Sequence, residues 1–444
     1  MLIAMISVLH VLVSHYAVGG GFFLAIEAGY AYRNNNRAYL AYLKDHAWFF
    51  ILITVVYGAI TGVGIWWTIG LASPLATETL IHTFVFGWAI EWVSFIIELT
   101  AAFIFFYYWG RLAPKVHVKI GWIYAIAALF SLVAITAITS FMLNPGSWPQ
   151  NRSFWVGILN PQFVPQTLAR IGGAFLLASL YVYLHASFRV KDKELHNLIE
   201  SRSARPALWG AALIVVGGIG WFFALPESAK AALAAASVLN VLMVLIFGLT
   251  VATFVMLYLG PFRNPGWFTP GFTILIFLSG TAAVTTGEYI REAVRKPYIS
   301  YNVVMSNQIL PEEIPVLRHT GCLQGGVFTK AYIRDNYPGA VQGDTINEQA
   351  LISLPEAEQV KIGAVLFQYH CNDCHAIEAG YSSVGNMTRS WTFEMIHELV
   401  RNPEKAHFFM PPFAGTEEEA VLLSKYLESI APAHPAGMYY GNGR

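Results

Sequence analysis

Cys371-Asn372-Asp373-Cys374-His375 sets two thiols three positions apart with a histidine directly behind them. That spacing lets the thiols form thioether bonds to the two vinyl groups of one haem while the histidine ligates its iron. A second axial ligand has to come from downstream. Met410, in Met410-Pro411-Pro412-Phe413, offers a thioether ahead of an amphipathic stretch through Leu422, Leu423, Tyr426 and Leu427. Half of a zinc site is another use of such a cysteine pair, but zinc takes four ligands and no second pair or histidine doublet follows. Thioredoxin-like redox use needs a βαβ setting that the flanking sequence lacks. The third cysteine, Cys322, has no partner by spacing and reads as a buried small residue.

The remaining candidates stand in apolar surroundings. Hydrophobic residues make up 56% of the 444 and charged residues only 12%, with a formal net charge of zero. This excludes an ordinary soluble protein and leaves no basic field for nucleic acid. Apolar runs long enough for a bilayer recur near 2–32, 47–71, 79–110, 119–143, 164–188, 207–225, 236–260 and 270–292, predicting eight spanning helices. Arg33, Arg37 and Lys44, then Arg111, Lys115 and Lys119, then Arg189, Lys191, Lys193, Arg202 and Arg205 fall after the first, third and fifth runs. Those sides are therefore cytoplasmic, the N-terminus is outside, and everything after about residue 295 is periplasmic. An ionisable side chain at membrane depth costs roughly 2.5–3.5 kcal/mol, so each is a functional candidate. These are His10, His15, Glu27, His82, Glu91, Glu98, Arg170, Glu288, Arg291, Glu292 and Arg295. Glu91 and Glu98 are seven apart, about 20° around a helix, and share a face; His15 points about 140° from His10 and reads as a packing or proton-path residue.

Two resemblances follow from these residues. The segment from about 355 to 432, with Cys371, Cys374 and His375 followed by Met410, resembles a small class I cytochrome c domain. Residues 1–300 resemble subunit I of the cytochrome bd-type oxidases. The carriers are His10 with Gly19 and Leu24-Ala25-Ile26; Ala89-Ile90-Glu91 and Ile97-Glu98-Leu99-Thr100 with Tyr108-Trp109-Gly110-Arg111-Leu112; Met142-Leu143-Asn144-Pro145; and Glu292-Ala293-Val294-Arg295-Lys296-Pro297-Tyr298. The resemblance implies that His10 and Glu292 ligate a high-spin haem pair, haem b and/or haem d, in an order left open. It also implies that Arg295 lies at haem propionates and that Glu91 and Glu98 act at the haem and on a proton route. The family works as a heterodimer, which implies a second membrane subunit as partner.

Departures from the family pattern matter as much. Where it has a low-spin haem histidine early in the fifth helix, the register from Asn160-Pro161 gives Ala169, with Arg170 beside it, placed for a propionate or a glutamate. The outer loop that helps bind quinol shrinks to Pro226–Ala236. Met243 lies near the second low-spin ligand position but reads as packing, so an additional haem b stays open. Losing the quinol loop while gaining haem c on the same face suggests electrons arrive from an external cytochrome c or other periplasmic donor.

The expected protein is all-α: a polytopic helix bundle over 1–298, a linker or docking segment over 299–352, and a cytochrome c domain over 353–444, in a bacterial inner membrane. Its expected activity is oxidoreduction, passing electrons through haem c to the buried pair, where O₂ becomes water. The alternative is a quinol–cytochrome c electron-transfer subunit or a haem-bearing anchor without oxygen chemistry.

Overall fold

The computed structural model describes residues 2–267, 269–378, 380 and 383–431; the end of the expected cytochrome c domain, 432–444, lies outside them. Among the described residues eight helices are long and apolar enough to cross a membrane. We label them α1 (Leu2–Arg33), α2 (Arg37–Ala72), α3 (Val85–Tyr107), α4 (Pro114–Phe141), α5 (Phe163–Arg189), α6 (Lys193–Phe223), α7 (Ser237–Phe262) and α8 (Pro270–Ala293). The chain is a multi-pass, all-α membrane protein.

Two helices start well before the apolar runs predict, because polar turns prolong them beyond the bilayer. The Asn36 side chain accepts from Tyr39 N and opens α2, and Asp192 accepts from Leu195 N to open α6. Capping satisfies donors that the first turn cannot bond internally. Lys44, Lys193, Arg202 and Arg205, expected in loops, therefore ride on helix ends. The third run is also shorter than expected: a separate helix, Pro74–Thr83, precedes α3, and the break falls at Phe84. His82 sits on that short helix, exposed and 3.8 Å from Glu78, rather than on a spanning helix.

The first unit, Met1–Arg295, is organised by small residues where helices touch. In lipid, association depends on close backbone approach rather than on expelling water. A Cβ on Gly172 would lie 2.5 Å from the Gly210 carbonyl oxygen and one on Gly210 would lie 2.6 Å from that of Gly172, so α5 and α6 cross in near contact. The Gly19-Gly20-Gly21 run works in the same way. Gly19 meets the α5 backbone at Ala174, Gly20 leaves room for Phe50 of α2 and for Tyr16, and Gly21 admits the Tyr124 ring of α4. α1 thus packs against α2, α4 and α5, while α3 and α7 show large apolar side chains such as Ile90, Trp92, Val241 and Phe247 on the outside.

The second unit runs from Lys296. Two short antiparallel hairpins, Tyr298–Ser300 with Val304–Met305 and Val341–Gln342 with Thr345–Ile346, accompany the helices. The helices used below are α9 (Glu356–His370), α10 (Phe393–Arg401) and α11 (Glu417–Ile430). α9 and α11 cross at Gly363, where a Cβ would run into the Leu422 carbonyl and lie 2.7 Å from Tyr426 Cβ. Segment 299–352, read from sequence as a linker, supplies Met305, Ile309, Ile314, Leu317, Cys322, Leu323 and Ile333 to the same core as Leu366, Phe367 and Leu423.

Candidate functional site

His10 on α1 meets α2 at Thr61 and Gly62. Its Nδ1 lies 3.1 Å from Thr61 Oγ1, and a Cβ on Gly62 would press on the ring edge at 3.1 Å. The Thr61 hydroxyl has one hydrogen, and the carbonyls of Tyr57 and Gly58, at 3.0 and 3.1 Å, take it in the usual helical back-bond. His10 Nδ1 then donates to Thr61 Oγ1, which leaves Nε2 with the lone pair that a metal requires.

Glu91 and Glu98 both turn to α4. Ser131 donates to Glu91 Oε1 at 2.9 Å and Tyr124 donates to Glu98 Oε1 at 2.9 Å. The acceptors are seven residues apart on α3 and the donors seven apart on α4, so two antiparallel helices carry a two-rung ladder.

Arg170 reaches α4 as well, donating to Thr136 and Thr139 at 3.2 Å each. It shares an electrostatic neighbourhood with His15, Glu288 and Arg291, and Arg291 donates to Glu288 at 2.8 Å. The side chains of Glu288 and Arg291 are only 16% and 18% exposed, so the cluster is held inside the unit. His10 lies five residues before His15 and Glu292 four after Glu288, on helices of opposite direction. At 1.5 Å per residue both shift the same way along the bundle, by about 7 and 6 Å. From His15 and Glu288 respectively, His10 and Glu292 are thus displaced toward the same end of the bundle. Glu292 is ion-paired with Arg295, whose guanidinium also donates to Met142 Sδ at 3.4 Å. Asn144, two residues on, donates to the Ala224 carbonyl closing α6. The Met142-Leu143-Asn144-Pro145 motif therefore joins the ends of α4 and α6 to the segment after α8.

In the second unit α9 runs directly into the cysteine motif. Cys371 N bonds to Phe367 O at 2.8 Å and closes the helix. Cys374 N and His375 N both reach the Cys371 carbonyl, at 3.1 and 2.9 Å, so the motif is one tight turn. Both cysteines are free thiols, Cys371 half-buried and Cys374 exposed. Burial, and then the neighbouring Cys374, push the Cys371 thiol up to about 12. Met410 is half-buried, and the chain behind it is fixed by Arg318, whose Nε donates to the Phe413 carbonyl at 2.9 Å. Ile377, Met387, Met395, Phe408 and Phe409, all between the cysteines and Met410, expose large apolar surface. Two thiols and a histidine in one turn, a thioether downstream and that apolar surface between them suit a covalently held haem. Cys322 is fully buried, with Sγ 3.3 Å from His370 Nε2 and its backbone N–H on Glu419. Among the described residues no group of three or more His, Cys, Asp or Glu side chains forms a metal cage.

Several buried polar groups were not singled out by sequence reasoning. His46, His117 and His185 are buried near the basic ends of α2, α4 and α5. They fall at the margins of the apolar runs, where hydropathy does not mark them. Glu27, recognised only as ionisable, lies buried between Arg202 and Tyr39, with the Arg202 guanidinium 3.5 Å from the centre of the Tyr30 ring.

No curated relative matches the chain. Among solved structures, the bd oxidase from Geobacillus thermodenitrificans aligns over 67% of this chain and 86% of its own, with a TM-score of 0.57 and 18% sequence identity, a likeness of fold. Residues 1–221, from α1 to nearly the end of α6, match the family model for cytochrome bd terminal oxidase subunit I, and it is to this family that the membrane unit is similar.

Proposed function

We propose that the chain is a cytochrome bd-like, oxygen-reducing subunit of a respiratory membrane complex, served by its own haem c. The observation that carries the reading is His10, its Nδ1 against Thr61 and its Nε2 left for a metal, in a bundle of bd-oxidase fold. His10 and Glu292 would hold the high-spin pair of haem b and/or d, with Arg295 and Arg170 placed to neutralise propionates. Haem iron, when bound, would relay the donor's electrons and carry the O₂ chemistry. The residues of this chain supply the rest. Glu98 and Glu91, bonded to Tyr124 and Ser131, hold and pass protons along one face of α3. Cys371 and Cys374 would tether haem c, with His375 and Met410 as axial ligands, and the tight α9–α11 crossing at Gly363 supports that domain reading. Electrons would come from an external cytochrome c or other periplasmic donor, and a second membrane subunit would cover the apolar outer faces.

Reduced-minus-oxidised and CO-difference spectra of the purified complex, with haem extraction, test this. Covalent haem c with a CO-reactive high-spin haem is expected, and His10→Ala or Glu292→Ala should abolish the CO response while leaving haem c. Low-spin signals alone, unmoved by CO, would overturn it in favour of an electron conduit or anchor.

A further inference from the structure

At the basic end of the bundle, which charge bias assigns to the cytoplasm, Asp45 of α2 stands half-exposed. Arg189 grips it with two hydrogen bonds, at 2.9 and 3.0 Å. Behind it the polar groups run inward. His185 Nε2 is 3.6 Å from Asp45 Oδ2. The His185 and His46 rings are 5.0 Å apart, edge to face. His46 Nε2 lies 3.1 Å from the Tyr16 hydroxyl, and both His46 and Tyr16 are fully buried.

The remaining ring nitrogens decide the reading. His46 Nδ1 and His185 Nδ1 are both buried without a hydrogen-bond partner. Tyr42 and Phe49 stack on these rings and Phe23 meets His46 edge-on, so the surroundings are aromatic. Buried polar atoms are nearly always satisfied, and leaving one unpaired costs about 1–3 kcal/mol. Two such nitrogens on rings whose centres are 5.0 Å apart need a partner that the surrounding side chains do not provide, and a bridging water would satisfy both. A histidine takes a proton on one nitrogen as it gives one up from the other, so with such a water Asp45, the two imidazoles and the phenol would relay a proton inward.

Beyond Tyr16 stands Phe50, its ring centre 5.2 Å from that of Tyr16 and 5.6 Å from that of Tyr124. Tyr124 carries the hydroxyl bonded to Glu98. Gly20 and Gly21 leave the room these rings occupy. The Phe50 ring thus touches both the tyrosine that ends the histidine column and the tyrosine of the carboxylate ladder. We propose that Asp45, His185, His46 and Tyr16 form the proton intake to Glu98, with Phe50 as its gate. This rests on the oxygen-reducing reading of the membrane unit. Each proton released by one group is replaced from the cytoplasmic side, so the column passes protons without accumulating charge.

The test uses the full-length chain with its co-purifying subunit in liposomes. It compares wild type with Asp45→Asn, His185→Phe, His46→Phe and His46→Gln. O₂ consumption is driven by ascorbate and a dye mediator, and proton uptake is followed by a pH indicator after a single turnover. Each variant should retain haem content and the CO-difference spectrum, turn over at least tenfold more slowly, and show a solvent deuterium isotope effect larger than that of wild type. His46→Gln can keep the bond to Tyr16 without carrying a proton, so it serves if the phenylalanine variant fails to assemble. Variants with wild-type turnover and isotope effect beside an active wild type would overturn the intake alone. A wild-type complex that neither binds CO nor consumes O₂ would overturn the functional reading and the intake with it.

Discussion

Gly363→Ala should loosen the second unit, and the structure sets the size of the effect. The added methyl would collide with the Leu422 carbonyl and lie 2.7 Å from Tyr426 Cβ, where ordinary contacts begin near 3.4 Å. The obstacles are a backbone carbonyl and a Cβ, neither of which can rotate away, so α9 and α11 must separate. Separation also loosens the Phe367–Tyr426 ring contact, now 5.6 Å between centres. Overpacking of this kind costs about 1–3 kcal/mol, here toward the upper end, and alanine's better helix propensity returns about 1 kcal/mol. A net loss of about 2 kcal/mol corresponds to roughly thirtyfold in an opening equilibrium. Hydrogen exchange by mass spectrometry on the full chain should show amide protection in α9 and α11 reduced by that factor. Gly339→Ala, where nothing lies within 4 Å of the new methyl, is the control and should leave protection unchanged. Wild-type protection in Gly363→Ala, beside an equally silent control, would refute the close crossing.

Two further predictions are local. Thr61→Val removes the acceptor for His10 Nδ1–H, and loss of such a support weakens metal ligation by about 10–100-fold; haem-to-protein ratios after dilution should fall while covalent haem c is unaffected. Glu348 is pushed up to about 7 by burial and then by the nearby Glu419 carboxylate, although Thr416 bonds to it. A carboxyl with a folded pKa above its unfolded value favours the folded state at low pH and loses that contribution as pH rises through about 7. Because the group is partly exposed, about 1–2 kcal/mol of the second unit's stability should disappear between pH 5 and pH 8. Glu348→Gln should flatten that dependence, as read from α11 exchange protection at the two pH values.

The sequence carried the membrane bundle because apolar length is a one-dimensional property, and it carried the Glu91/Glu98 pair because a seven-residue spacing means one helix face. The gathering of Cys371, Cys374 and His375 into one tight turn was legible for a similar reason, since it needs only local spacing. What stayed hidden is what depends on packing. Polar turns beyond the bilayer lengthened α2 and α6, and hydropathy does not register them. His46 and His185 lie 139 positions apart and become partners only when α2 packs on α5. The stretch 299–352 has no repeat or motif, yet Arg318 from within it holds the loop behind Met410. That each of the three adjacent glycines of α1 accommodates a different neighbour is a fact of three dimensions.

The two-rung ladder between α3 and α4 also gauges the alignment of those helices. Nearly everything else along that seam is apolar and would tolerate sliding by a turn. Glu91 and Glu98 would not: a slip of three or four residues takes both away from Ser131 and Tyr124 at once and sets two carboxyls against aliphatic side chains at membrane depth. At roughly 2.5–3.5 kcal/mol for each acid so placed, the misaligned pairing is disfavoured by several thousandfold or more. The residues proposed to handle protons therefore also select the pairing of their own helices, so a bundle assembled in the wrong register disconnects its chemistry and its fold in the same step.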